Sequence, residues 1–449
     1  MTVQCGEHLM YNGKDYIIET EPLYPYLKSK QISFIALHTA CWRGYMGDWL
    51  IENDKLYLVG LYALVSKNYW YDPSNGKVSV HEKTVDLDEL FPGQDKVLAD
   101  WFTGDICIPH CDLINESECG KEIYLKIKKG IVMQVWEVDH IVKNRLEGVI
   151  FGQAIGDALG VGTEFMSRTE VFQNYPGALS LYCQIIQDTH RCRWKPGEWT
   201  DDTEMMLCIA NAMIEDREIR LETIARNFKR WFKGNPRGIG RHTYNVLSIA
   251  DYEQDPIRAA RMIWELSGRK SAANGALMRT SVVGLWKENV AAYAESICRL
   301  THADPRCVGA CVIVSELIHR LVWQGEELGF DEMLSLGRKY DERIEPYLLL
   351  AKEGTMENLR LDEGESMGYT LKALSAAVWC LYHVNSFRDG LMAVVNAGGD
   401  ADTNAAVACS VLGAKYGFEA IPRCFVMGLL HGDVLRKVSA DLYQILSAR

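Results

Sequence analysis

The alternation of apolar and polar positions changes its period once along the chain, near residue 145. Before that point short runs alternate with a period of two: "DYIIE", "KLYLVGLYALV", "KVSVHEKTVDL" and "EIYLKIKKGIVMQVWEVDHIV". Such runs form strands with one buried face. Between them lie the turn signals "YNGKD", "DPSNGK", "FPGQD" and "KKG", and "YDPSNGKVSV" reads as a hairpin. A smaller, mostly β unit is expected over residues 1–144, with one or two short helices, one of them around "DKVLADWF".

Beyond residue 145 the apolar positions recur every three to four residues. "MMLCIANAMIEDREI", "ETIARNFKRWFKG", "DPIRAARMIWELS", "NVAAYAESICRLT", "DPRCVGACVIVSELIHRLVWQ", "MGYTLKALSAAVWCLYHV" and "TNAAVACSVLGAKYG" all follow this rule. Small residues are frequent in them, so the helices can approach closely. Gly, Pro and Asp turns connect them, and no β–α alternation is seen. Residues 145–449 are therefore expected to form one all-α domain, and the whole chain an α+β protein.

Composition narrows the function classes. The 449 residues are 48% hydrophobic and 24% charged, ordinary values for a globular protein with room for more than one core. A formal net charge of −12 and the lack of any basic run argue against a nucleic-acid partner. No uninterrupted apolar span is long enough to cross a bilayer, and the first residues turn polar without a signal-peptide pattern, so no membrane partner is expected. The 14 cysteines are scattered, several inside apolar stretches such as "AVACSVLGA", as in reducing compartments. A cytoplasmic location is the expectation. Cys107, His110, Cys111 and Cys119 could in principle hold zinc. Their spacing lacks the paired C-x2-C form, and ordinary packing is the better reading.

The candidate chemistry lies at two helix starts. "GGDADTNAA" sets Asp400, Asp402 and Thr403 after two glycines, and "GEWTDDTEMM" sets Thr200, Asp201 and Asp202 before another helix. One acid or hydroxyl would suffice as an N-cap. Two carboxylates and a hydroxyl at each of two starts instead make an oxygen-donor set for hard divalent cations. Other metal motifs fail. An EF-hand loop from Asp400 would need Gly at Ala405 and Glu at Val411, and a DDxxD from Asp201 would need an acid at Met205. A third segment, "GVIFGQAIGDALGVGTEF", repeats glycine at 148, 152, 156 and 160, leaving one helix face bare for a close neighbour. Asp157 there reads equally as a buried capping acid or as a site residue, and Glu164 follows in the next loop.

Together "GQAIGDALGVGTE", "WTDDTEM", "NGALMRT", "THADPRCVGACV" and "NAGGDADTNAAVA" resemble, in order, the motifs of the ADP-ribosylglycohydrolase family, over residues 146–435. The resemblance implies an all-α fold with a two-Mg²⁺ cleft (Mn²⁺ being the alternative) that hydrolyses ADP-ribose from an acceptor, commonly arginine. It assigns Thr200, Asp201, Asp202, Asp400, Asp402 and Thr403 to the metals, and Asp202, Asp402 or Glu164 to proton transfer. Asn274, Gly275 and His302 fall to the ribose–nucleotide pocket, and Gly238 and Gly399 are candidate backbone contacts to substrate. Ala401 and Asn404 depart from the usual pattern without removing a ligand. The implied partner is an ADP-ribosylated protein, with an ADP-ribosylating toxin as a candidate second partner. Alternatives are a serine-, nucleic-acid- or O-acetyl-linked substrate, or a binding or immunity protein that occludes an ADP-ribosyltransferase through residues 1–144.

Overall fold

The computed structural model describes residues 5–37, 40–72, 77–110 and 120–447. They divide into two compact units, Met1–His140 and Ile141–Arg449.

Among the described residues, the first unit holds a nine-stranded sheet. Its strands are β1 (Glu7–Tyr11), β2 (Lys14–Ile18), β3 (Tyr45–Glu52), β4 (Lys55–Asp72), β5 (Lys77–Val85), β6 (Val97–Leu98), β7 (Gly104–His110), β8 (Lys121–Lys128) and β9 (Ile131–Asp139). The order is β2-β1-β3-β4-β9-β8-β7, with β5 and β6 also paired to β4. Three connections are two-residue turns in which both residues take positive φ: Asn12–Gly13, Asn53–Asp54 and Lys129–Gly130. That geometry matches the twist of the flanking strands. The β4–β5 pair also forms, in register from Asp72↔Lys77, but the turn of "DPSNGK" lies outside the described residues. So do Cys111 and Cys119 of the zinc option.

Leu9, Trp49, Leu58, Ile106 and Leu125 alternate inward to fill this core. The lone arginine, Arg43, braces it by donating to the carbonyls of Cys5 (2.7 Å) and Tyr45 (2.9 Å) and lying 3.5 Å from buried Glu7. The short helices are Tyr24–Lys30 and Leu87–Leu90. "DKVLADWF" is not a helix as expected: Val97 and Leu98 pair with Leu58 and Tyr57. The cross-strand partners on β4 override local propensity there.

The second unit is helical, and each expected periodic segment is a helix. Those that position the site are His140–Gly160, Asp201–Asp216, Arg241–Leu247 and Ala401–Tyr416. Pro305–Gln324 passes the length and apolarity test for a membrane-crossing helix, but 72% of its apolar window is buried inside the protein.

Candidate active site

The glycine repeat sets the frame. A Cβ placed on Gly148, Gly152 or Gly156 would stand 2.2 Å from the carbonyl oxygen of Gly413, Cys409 or Ala405, respectively. No side chain fits at that distance, so His140–Gly160 and Ala401–Tyr416 meet backbone to backbone. The partner numbers fall as the glycine numbers rise, which makes the two helices antiparallel. The end of the first helix therefore meets the start of the second: a Cβ on Gly160 would lie 2.4 Å from Asp402 Cα. Asp157 and Glu164, on either side of Gly160, are thereby delivered to the second acid cluster.

Asp157 ties in the first cluster. Its buried carboxylate accepts the backbone N–H of Thr200 (3.0 Å) and of Thr203 (3.0 Å), and the Thr203 hydroxyl (2.6 Å). It thus caps the Asp201–Asp216 helix from a neighbouring helix, answering that helix's unpaired N–H groups. With its oxygens so engaged, Asp157 is a positioning acid rather than a free ligand. On the other side, Asn274 Nδ2 donates to Asp400 Oδ2 at 2.6 Å and steadies the second cluster.

The two clusters face one another electrostatically. Burial, then the charges of Asp157 and Glu164, push Asp201 up to about 7. Burial, then Glu164, raise Asp400 to about 6. Asp202 and Asp402 are both driven well above the usual carboxylate range, by burial first and then by neighbouring carboxylates: Asp157, Asp201 and Asp400 act on Asp202, and Glu164, Asp400 and Asp202 on Asp402. Oxygens of Glu164, Asp400 and Asp402 lie within 4.8 Å of one another. Asp202 Oδ2 is buried with no hydrogen-bond partner. Crowded hard oxygens that raise one another's proton affinity, one of them an orphan acceptor, are the donor set a divalent cation would relieve. The residues fit such an ion.

These groups line a pocket of about 740 Å³, within the range of small-molecule sites. Thr200, Asp201, Asp202, Asp400, Asp402, Thr403, Glu164, Asn274, Gly275 and Gly238 all border it. Gly238 lies against Asp201: a Cβ there would be 2.6 Å from its Oδ1. Two expected residues stand back from the wall. His302 is buried behind Gly275, with Nδ1 2.7 Å from Thr301 Oγ1 and Nε2 without a partner. Gly399 holds the loop, since its carbonyl accepts the Phe165 N–H at 2.6 Å and its own N–H donates to Met166 at 2.8 Å. With φ +74° and the Leu361 carbonyl 2.0 Å from any Cβ, only glycine fits there.

The motifs did not reveal His190, Arg193, Trp194 or His242, which also line the pocket. The one signal for the first three was local: "HRCRW" runs directly up to "KPGEWTDD".

A helical scaffold that gathers carboxylates and hydroxyls from distant helix starts into one cleft defines an acid-centred, enzyme-like site. Comparison with known proteins gives the family. Residues 139–449 match the ADP-ribosylglycohydrolase family model, and the chain belongs to that family of hydrolases. It is 24% identical to an ADP-ribosylarginine hydrolase, Tri1, of Serratia proteamaculans, over 67% of this chain and 79% of that protein. An uncharacterized Archaeoglobus fulgidus protein is 30% identical, over 68% and 97%. An ADP-ribosyl-[dinitrogen reductase] glycohydrolase of Rhodospirillum rubrum is 27% identical, over 67% and 96%. A solved structure described as an ADP-ribosylglycohydrolase-related protein complex superposes with a TM-score of 0.55 at 25% identity, covering 68% of this chain and 98% of that one.

Proposed function

We propose that the protein is a Mg²⁺-dependent hydrolase that removes ADP-ribose from modified arginine side chains of proteins. The observation that carries this reading is the convergence of both Thr/Asp helix starts with Glu164 in one pocket. The likeness to ADP-ribosylarginine hydrolases supports the choice of linkage.

Thr200, Asp201, Asp202, Asp400, Asp402 and Thr403 would hold the cations, with Mn²⁺ as the alternative metal. When bound, such ions offset the carboxylate charge and polarise substrate oxygens. The chain's own groups do the rest. Breaking the bond from the anomeric carbon to the guanidine leaves an oxocarbenium-like ribose. The acidic field favours that positive charge, and the low polarity of a buried site strengthens the effect. Glu164 takes a proton from water as the water oxygen bonds to the anomeric carbon, and the departing guanidine nitrogen receives a proton in turn. Asp157 and Asn274 keep the two clusters in place throughout. Gly240, on which a Cβ would meet nothing within 4 Å, leaves backbone open to the pocket for the diphosphate, and Gly238 lies in the same loop against Asp201.

The test is release of ADP-ribose from matched arginine- and serine-modified proteins in Mg²⁺ buffer. The arginine adduct is expected to turn over at least tenfold faster. Preference for the serine adduct would overturn the assignment of the linkage.

A further inference from the structure

The segment Asp188–Trp194 lies outside every motif that marks the pocket, yet its side chains converge on the turn that carries Glu164. Buried Arg191 fastens the backbone of that turn, with Nε donating to the Gly162 carbonyl at 2.8 Å and Nη2 to the Glu164 carbonyl at 2.6 Å. Its remaining arm is held by Asp188. His190 takes hold of the side chain, with Nε2 2.6 Å from Glu164 Oε2. Arg193 decides the tautomer, because its Nη2 lies 2.6 Å from His190 Nδ1. A guanidinium only donates, so Nδ1 accepts and the ring proton sits on Nε2, aimed at Glu164. The ring is flanked by Phe165 (5.1 Å between centroids) and Trp194 (5.7 Å), and Arg193 lies over Trp194 at 4.3 Å.

A His–Glu contact on an open surface would contribute little. This one differs in its surroundings. Glu164 is only 8% exposed, and its oxygen lies within 4.8 Å of those of Asp400 and Asp402. Like charges that close repel, and a glutamate has three rotatable bonds with which to swing away. A neutral N–H donor restrains it without cancelling the charge that a hydrolytic site uses. A lysine at that place would neutralise it.

We propose that His190, in the tautomer set by Arg193, is a positioning residue that holds the Glu164 carboxylate within the acid cluster, so that residues 188–194 act as a clamp on the pocket. The inference rests on the reading of Glu164 as a working carboxylate of the hydrolytic site.

Two substitutions in the full-length protein test it. His190→Phe keeps a ring between Phe165 and Trp194 and removes the donor, whereas His190→Gln returns an N–H near the position of Nε2. Loss of an outer partner of a catalytic carboxylate costs about 10- to 100-fold. His190→Phe is expected to lower kcat by that factor with KM within about twofold, and His190→Gln to recover most of the loss. Mn²⁺ titrated into each protein gives a readout without turnover. Because Glu164 shares one oxygen cluster with Asp400 and Asp402, displacing it takes a donor from the ion, and Mn²⁺ is expected to bind at least about tenfold more weakly to His190→Phe than to wild type or His190→Gln. Thermal melting establishes that each variant is folded. Unchanged kcat and unchanged Mn²⁺ affinity in His190→Phe would overturn the clamp, as would a folded His190→Gln that fails equally. If the wild-type protein cleaves no ADP-ribosyl substrate, the proposed function falls, while the Mn²⁺ titration still decides the clamp.

Discussion

At the scale of single residues, two aspartates that burial raises above the usual carboxylate range, Asp157 to about 6, differ in what their oxygens meet. Asp157 is buried but fully engaged by Thr200 and Thr203. Asp157→Asn turns one acceptor into a donor that faces an N–H, and should cost about 1–3 kcal/mol of stability. Asp402 is raised by burial and by Glu164, so folding penalises its ionised form. Asp402→Asn removes that penalty, and its stability should be equal to wild type or higher while kcat falls by about two to four orders of magnitude. Denaturant titration beside turnover separates the two, and an Asp402→Asn variant that unfolds while its folded fraction keeps full activity would make Asp402 a cap, not a site residue. Glu7 supplies a pH test remote from the site. Burial raises its carboxyl from 4.5 to about 7, although the Trp49 N–H hydrogen bond and Arg43 pull the other way. The folded pKa exceeds the unfolded one, so this contribution to stability is complete below pH 4.5 and is lost as the pH rises through 7. Amide exchange in β1 and β3 should quicken between pH 5 and 8 beyond its intrinsic rise. Glu7→Gln, which keeps an acceptor for Trp49, should abolish that excess.

At the scale of elements, the glycine seam holds the site together. Alanine in a helix interior normally gains up to about 1 kcal/mol over glycine. At Gly156 the new Cβ would stand 2.2 Å from the Ala405 carbonyl, so the two helices must part. Such overpacking costs about 1–3 kcal/mol and wins over propensity. Gly156→Ala should therefore lower stability and, by shifting Asp157 from the start of Asp201–Asp216, lower kcat as well. Gly432→Ala is the control, because its Cβ would meet Phe151 at an ordinary 3.9 Å. Equal melting temperatures for the two variants would contradict the seam. This element could be read in the sequence because spacing of four leaves a bare helix face. The strand at Val97–Leu98 could not, since its partners Leu58 and Tyr57 lie some forty residues away.

At the scale of the molecule, both acid clusters were legible because each is compact in sequence and sits at a helix start. The clamp of His190, Arg191 and Arg193 was not, because its partners in Gly162 and Glu164 are 26 to 29 residues distant. His302 was legible as a position, but its place behind Gly275 depends on packing. In the first unit, many aromatics serve its own core: Phe91 and Trp101 stack at 5.6 Å with Tyr26 against both. Trp42 and Tyr62 are nonetheless 70% and 49% exposed, and exposed aromatics favour recognition of a protein partner. Every pocket residue lies beyond residue 160. A chain starting at Ile141 should therefore still cleave a small ADP-ribosyl-arginine substrate, with a several-fold lower rate on modified protein. Equal rates on both substrates would remove recognition from the first unit.

Two helix starts, one tied to His140–Gly160 by Asp157 and the other packed on it along the glycine seam, are proposed to form one divalent-cation hydrolytic centre. The most direct test is ADP-ribose release from arginine-modified protein after the enzyme has been stripped with EDTA. Turnover should fall to background and return with Mg²⁺ or Mn²⁺, as hard oxygen donors require. Full turnover by the stripped enzyme, or restoration by Zn²⁺ in preference to Mg²⁺, would contradict it.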